Sequence, residues 1–478
     1  MTSWLQRHVA GMGRFGHRLA VRLDTPMRRQ RGTALVIVLA TVAILTVSIV
    51  EFVYQTRVNL HLAANQRDEV KAYFLARSGV NLQLLALNYQ HELSNAPMIG
   101  PMVERSNFQL WEYLDLLLPT YAAARLESPI GSLDLEDTGA TGFGGLTGDI
   151  SFSRPMPEEG KINVNSFAGR NIDQATLQAL CNLIRPPAYD DVFASSIARQ
   201  RALRDRFDLV GAIIDHIDSD SDLTVVDENC NVSMGGRGNE SSRYVGLEWG
   251  PKNEPLVSLD ELALVPGVSD GFLEQFRDNL TVYPVPLRFY PNLSNAQAFL
   301  GFLCSHVTGG SEDVNPCSLP VIAQQVYVLA LALEGYVNFF SDKMRLIAQY
   351  TGFMDGISDD RVLDVSRGGQ MIAFQQPRDF VNVLNVFRTQ SDVAMQFMLF
   401  SDPGRRLLFG MGGVGGSAFI PPDIAVTFND RAMLQQIEVG PPRVFTIEAT
   451  GHYGVASRTI RAVVDLGNDS RLLYWREF

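Results

Sequence analysis

The densest set of side chains able to do chemistry in this sequence is acidic. The run Asp215-His-Ile-Asp-Ser-Asp-Ser-Asp222 is followed by Asp227, Glu228 and, further along, Glu240. Between Asp205 and Gln275 there are 15 acids against 4 bases, a local charge of −11. Oxygens at alternate positions, as at Asp218, Asp220 and Asp222, suit a hard cation such as calcium, which gathers about six to eight oxygen ligands. The EF-hand pattern is not met, because its glycine and closing Glu fall at other offsets. The competing reading is a solvated acidic loop that follows a helix.

Other constellations point away from catalysis. No GxSxG occurs, and the seven His are scattered without HExxH spacing. Gly410-Met-Gly-Gly-Val-Gly-Gly416 lacks a GK[ST] ending, and Ile420-Pro-Pro422 argues against a following helix, so it reads as a linker and not a phosphate loop. The turn at Pro266-Gly267 has the outline of a hairpin that could hold DNA phosphates. Its neighbours are Asp260, Glu261, Asp270 and Glu274, with no basic residue between Asn253 and Phe276. Phosphate binding needs Lys or Arg, so no nucleic-acid partner is expected. Four cysteines, Cys181, Cys230, Cys304 and Cys317, allow three full pairings, and none sits in a CxxC pair. If the body is exported, the sequence-local bridges Cys181–Cys230 and Cys304–Cys317 are the preferred pairing; free buried thiols are the alternative.

Several elements must position these groups. Leu177, Leu180 and Leu183 mark a helix begun near Asn171. Between Asp205 and Gln275 the pattern gives helical pieces joined by polar loops, including Leu256–Val268, a helix–turn–helix around Pro266-Gly267. A helical stretch is also expected over Pro97–Leu117, a loop over Thr138–Gly148, and strands at Asp149–Ser153 and Gly160–Asn165. Leu287–Ala296 loosely repeats Lys161–Ala168, and a second helical region covers about 319–398. Three alternating runs close the chain, Arg443–His452, Ser457–Asp465 and Ser470–Trp475, and read as an antiparallel meander.

The N-terminus carries most information. Residues 1–32 hold seven Arg and one acid, leaving 33 basic and 51 acidic residues for the remainder. A body this acidic repels nucleic acid and anionic headgroups and attracts divalent cations. Thr33–Val50 is eighteen residues without a charge, close to the roughly 20 needed to span a bilayer. The Arg cluster precedes it, so the first 32 residues stay cytoplasmic and the bulk lies outside. A cleaved signal peptide would have a shorter apolar run and a small-residue site behind it. Here the helical pattern instead continues to about Tyr89, with no Pro between Thr33 and Asn95. Such a helix would be roughly 80 Å long at 1.5 Å per residue, apolar all round in its first half and amphipathic in its second. An ordinary single-pass anchor with a stalk is the plainer alternative.

A basic leader ending in Gly32, an apolar helix directly after it, and an amphipathic extension together resemble the type IV prepilin family. The order of later motifs resembles its K class, the minor pseudopilins of type II secretion. Those motifs are Lys161-Ile-Asn-Val-Asn165, Ile214-Asp-His-Ile-Asp-Ser-Asp220, Leu259-Asp-Glu-Leu-Ala-Leu-Val-Pro-Gly267 and Tyr474-Trp-Arg-Glu477. The leader is longer than usual, and residues about 300–440 match only loosely. The resemblance implies cleavage after Gly32 by prepilin peptidase, methylation at Thr33, and an inner-membrane anchor with a periplasmic body. It implies an α+β pilin-like fold: a long N-terminal helix on a small antiparallel sheet, with large helical insertions. The divisions implied are a leader (1–32), spine helix (33–90), first part of the head (91–169), acidic insertion (170–286), second insertion and linker (287–440), and closing strands (441–478). The fifth mature position, where most pilins carry Glu, is Ile37, and no acid lies between Thr33 and Glu51. An unpaired carboxylate in hydrocarbon is costly, and a tip subunit has none ahead of it to pair with. The resemblance further implies calcium near Asp218, Asp220 and Glu240, with Asp222 adjacent. Its implied partners are minor pseudopilins of the I and J classes, met through the N-terminal helix, and its role is structural. A minor pilin for adhesion and a membrane-anchored periplasmic enzyme are the alternatives.

Overall fold

A computed structural model describes residues 33–97, 100, 125–128, 131–134, 148–169, 171–199, 203–309, 315–340, 373–410, 424–467 and 470–478. The leader with Gly32, all but Pro97 and Gly100 of the stretch expected as a helix over Pro97–Leu117, most of the 138–148 loop and residues 411–416 of the glycine-rich linker fall outside them. The chain divides into two compact units, residues 1–70 and 71–478.

In the first unit the described residues belong to α1 (Thr33–Asn95), one uninterrupted helix of 63 residues. Leu35, Ile37, Leu39 and Ile44 are each about 60–66% exposed, so among the described residues nothing covers this apolar surface. The few polar side chains bond inward. Thr41, Thr46 and Ser48 donate to the carbonyls of Val38, Val42 and Ile44. Those three hydroxyls therefore need no water, which suits a segment long and apolar enough to cross a membrane.

The second unit begins with the end of α1, and here the helix is covered. Two short strands, β1 (Arg125–Ser128) and β2 (Gly131–Asp134), form a separate hairpin. The next strands are β3 (Asp149–Phe152), β4 (Met156–Pro157) and β5 (Ile162–Asn163). Helices α2 (Gln174–Ile184), α3 (Asp190–Arg199) and α4 (Arg206–Ile217) follow, then a hairpin of β6 (Asp222–Val226) and β7 (Val232–Asn239). That hairpin occupies part of the region expected as helical pieces and loops. Beyond it come α5 (Asp270–Phe276), β8 (Leu280–Thr281), α6 (Ala296–Cys304) and β9 (Val307–Thr308). The second helical region is α7 (Pro320–Phe339), α8 (Pro377–Thr389), α9 (Ser391–Met398) and α10 (Asp402–Gly410). β10 (Thr427–Phe428) and α11 (Asp430–Gln436) lead into the closing meander of β11 (Val444–Tyr453), β12 (Ala456–Asp465) and β13 (Arg471–Glu477).

The principal sheet has the order β13-β12-β11-β3, with β4 also on β11, all antiparallel. Period-2 alternation decides its faces. Phe445, Ile447 and Ala449 of β11, with Ile460, Ala462 and Val464 of β12, pack against Ala76, Val80 and Leu87 of α1. The intervening Val444 and Val463 face the other way, onto Val285. Helix and sheet approach closely because each presents a glycine to the other. A Cβ on Gly451 would lie 2.1 Å from the Ala72 carbonyl, and one on Gly79 would lie 2.7 Å from Ala449 Cβ. The fold is therefore a long N-terminal helix on an antiparallel sheet with helical insertions, and the strands that complete the sheet are the last in the chain. Apolar side chains from both helical regions, from Ile162 to Ile437, join in one large core.

Candidate metal centre

The acidic site is built on the end of α4. Asp205 opens that helix by accepting the backbone N–H groups of Phe207 and Asp208. Asp215 and Asp218 are three residues apart, which puts them on one helix face a turn from each other. Asp218 is the residue at which the helix ends, with extended backbone. The chain then runs out through β6, returns along β7, and enters a short 3-10 turn whose first residue is Glu240. Gly211 permits the return, because a Cβ there would lie 2.6 Å from the Thr224 carbonyl. One carboxylate oxygen from each of Asp215, Asp218 and Glu240 comes within 4.8 Å of the others, and all three residues are buried.

Their electrostatics differ. Asp215 is satisfied: one oxygen accepts the Thr224 N–H at 2.8 Å, and the other accepts Arg243 Nε at 2.9 Å. Arg243 also donates from Nη1 to the Asp208 carbonyl and from Nη2 to the Thr224 carbonyl. Burial raises the Asp215 pKa, and the Arg243 charge pulls it back. Asp218 Oδ1 and both Glu240 oxygens, by contrast, are buried with no hydrogen-bond partner. Burial, then the negative charges of Asp220 and Asp215, push Asp218 up to about 7. Burial, then Asp218 and Asp215, push Glu240 up to about 8. Buried, unpaired carboxylate oxygens cost several kcal/mol unless neutralised, and a cation among them removes that cost. The donors are all hard oxygens, with no thiol, which fits a hard divalent ion better than zinc. A loop closes over the group: Asn253, at φ 52°, donates its N–H to the His216 carbonyl and its Nδ2 to the Asp220 carbonyl. Asn253 Oδ1 is itself buried and unpartnered.

Of the four acids singled out in the sequence, Asp218 and Glu240 lie in the triad. Asp220 is half-buried and Asp222 exposed; Asp220 Oδ1 accepts the Asp222 N–H. Asp215 lies in the same acidic run but outside the alternate spacing of Asp218, Asp220 and Asp222. Its helix-face relation to Asp218 is the signal that could have found it. His216 sits behind the site, with Nδ1 2.6 Å from the Tyr244 hydroxyl and burial lowering its pKa.

The remaining candidates fall elsewhere. Cys304 and Cys317 are disulfide-bonded, while Cys181 and Cys230 are buried thiols. Burial and the neighbouring Cys230 thiol push Cys181 upward, and Arg185 donates to Cys230 Sγ at 3.1 Å. Thr33 is the first residue of α1, and Ile37 lies exposed on its first turns. At the Pro266-Gly267 turn Gly267 adopts φ 95° and packs on Leu203 and Leu209. Two of its flanking acids are engaged: Asp260 pairs with Arg277 and Arg476, and Glu261 with Lys252.

No family model matches this chain, and no curated protein matches it. Among solved structures, it is similar to a chain of the GspK-GspI-GspJ complex from the enterotoxigenic Escherichia coli type 2 secretion system. The two are 13% identical, the similarity covers 87% of this chain and 99% of that one, and the TM-score is 0.41. A likeness of that degree decides neither fold nor function.

Proposed function

We propose that this chain is a structural, non-enzymatic minor pseudopilin of the K class, placed at the tip of a type II secretion pseudopilus. The observation that carries the reading is α1. Its first half is an apolar surface that no other described residue covers, and its last turns are the backing of a sheet closed by the final three strands. An exposed apolar helix of this length needs lipid or other helices around it. In the proposed sequence of events, prepilin peptidase cuts after Gly32 and Thr33 is methylated. The helix then leaves the inner membrane to pack on those of I- and J-class pseudopilins, with the body in the periplasm. Ile37 in place of Glu spares the terminal subunit an unpaired carboxylate, and the bulk of the helical insertions caps the bundle against further addition. The ion of the acidic centre is calcium, with Asp218 and Glu240 as direct ligands and Asp220 and Asp222 adding negative charge at the rim.

Photo-crosslinkers at Leu60 and Leu62, in cells that also make I- and J-class pseudopilins, test the assembly. Adducts to those two proteins are expected. Adducts to a major pilin alone would favour the type IV pilus alternative, and an absence of protein adducts would reject assembly through this helix.

A further inference from the structure

The far end of the β6–β7 hairpin is clamped to α2 around two sulfurs. Its turn, Asp227-Glu-Asn-Cys-Asn231, meets the helix face that carries Gln174, Gln178, Cys181 and, just past the last turn, Arg185. Gln174 donates to the Cys230 carbonyl at 3.0 Å, Gln178 to the Asn229 carbonyl at 3.3 Å, and Arg185 to the Glu228 carbonyl at 2.6 Å. Arg185 Nη2 also reaches Cys230 Sγ at 3.1 Å. Both cysteines are 0% exposed, so their sulfurs lie sealed under this clamp. Cys230 adopts φ 62°, left-handed backbone that a turn ordinarily gives to Gly or Asn. The backbone cost of a Cys there points to a use for its sulfur. Cys230 is held below its usual pKa by a hydrogen bond with Cys181 and, against burial, by the Arg185 charge. Cys181 is pushed up by burial and by that same bond. The two thiols are thus in contact, and Cys230 is the better thiolate.

We propose that these thiols are oxidised to a second disulfide, Cys181–Cys230, and that this bond pins the hairpin bringing the Thr224 N–H and Glu240 to the acidic centre. Cys304–Cys317 is already bonded, so the chain matures where disulfides form. The Cys230 thiolate attacks one sulfur of an oxidant disulfide, and the oxidant's other sulfur leaves as a thiolate. Cys181 then gives up its proton, attacks Cys230 Sγ and expels the first oxidant sulfur. One S–S bond forms, two S–H bonds break, and two electrons and two protons reduce the oxidant disulfide to two thiols. Because both sulfurs end up sealed, the exchange belongs to folding, before α2 and the turn close. A soft metal ion fits less well. Arg185 sets a positive charge against Cys230 Sγ, and among the described residues no third His, Cys, Asp or Glu joins the pair. The inference depends neither on the pseudopilin reading nor on a bound cation.

For the test, the full chain is extracted from native membranes, denatured with a thiol alkylator and no reductant, and mapped by peptide mass spectrometry. Peptides joined through Cys181 and Cys230 are expected beside those joined through Cys304 and Cys317, with no cysteine alkylated. Alkylated Cys181 and Cys230, or either one joined to Cys304 or Cys317, would overturn the inference. The pinning is read by hydrogen exchange of the Thr224 amide in chelator, which removes any contribution of a cation. Cys181→Ala with Cys230→Ala should speed that exchange about tenfold or more, because the far end of the hairpin is released. Cys181→Ser with Cys230→Ser takes its place should the Ala pair not fold. A Thr224 amide as protected in the variant as in the bonded chain would show that the bond holds nothing at the acidic centre and would overturn the pinning.

Discussion

The first half of α1 and the acidic centre are unfinished in opposite ways. Leu35, Ile37 and Ile44 are apolar and exposed; Asp218 and Glu240 are charged when ionised, and buried. Water is the wrong solvent for the first and is denied to the second. Each departure from ordinary burial calls for something from outside the chain, hydrocarbon or partner helices in one case and a cation in the other. Asp215, beside the same acids, shows what a finished version looks like, because Arg243 and the Thr224 N–H occupy both its oxygens.

The strongest way to break this contrast is to make Asp215 resemble its neighbours. Arg243→Met strands a fully buried carboxylate and should cost about 3–5 kcal/mol in denaturant unfolding. A loss below about 1 kcal/mol, the range of an exposed pair, would mean the pair is not desolvated. Next in size is the contact that sets the helix on its sheet. Gly451→Val puts a side chain against the Ala72 carbonyl and should cost about 1–3 kcal/mol, read as a lowered thermal midpoint. An unchanged midpoint would place β11 further from α1.

The cation side is sharpened by titration. Calcium at a hundredfold over its dissociation constant should stabilise the chain by about 2.7 kcal/mol. Asp218→Ala should abolish both that gain and the calorimetric heat, while Asp220→Ala should only weaken binding. Retained heat in Asp218→Ala would reject the site. The same two carboxylates make the metal-free chain sensitive to pH. In chelator, Asp218 and Glu240 titrate near 7 and 8 when folded and near about 4 when unfolded. The folded state then holds more protons between those values, so stability is greatest below about pH 4 as far as these groups go, and is lost as pH rises toward 8. The metal-free midpoint should fall from pH 5 to 8, and calcium should flatten the slope; a flat metal-free profile would show the carboxylates to be solvated.

How far the sequence revealed this follows from how local each signal is. α1 was legible because Thr33–Val50 is apolar in every direction and no Pro interrupts the helix before Asn95. The closing meander was legible from period-2 alternation and short turns. The β6–β7 hairpin was not: β7 contains Gly235, Gly236 and Gly238, which weaken a strand pattern, and its turn depends on Asp227 accepting the Asn229 and Asn231 N–H groups. Asp215's pairing was hidden because Arg243 is 28 residues away and arrives only through that hairpin. The acids could be read as a group, but which of them faced inward depended on where α4 ended, at Asp218.

Intact-mass spectrometry of the chain from native membranes tests directly whether α1 begins the mature chain as a membrane-stored spine. A species beginning at N-methylated Thr33 is predicted. A chain still starting at Met1, or one cut beyond Val50, would contradict it.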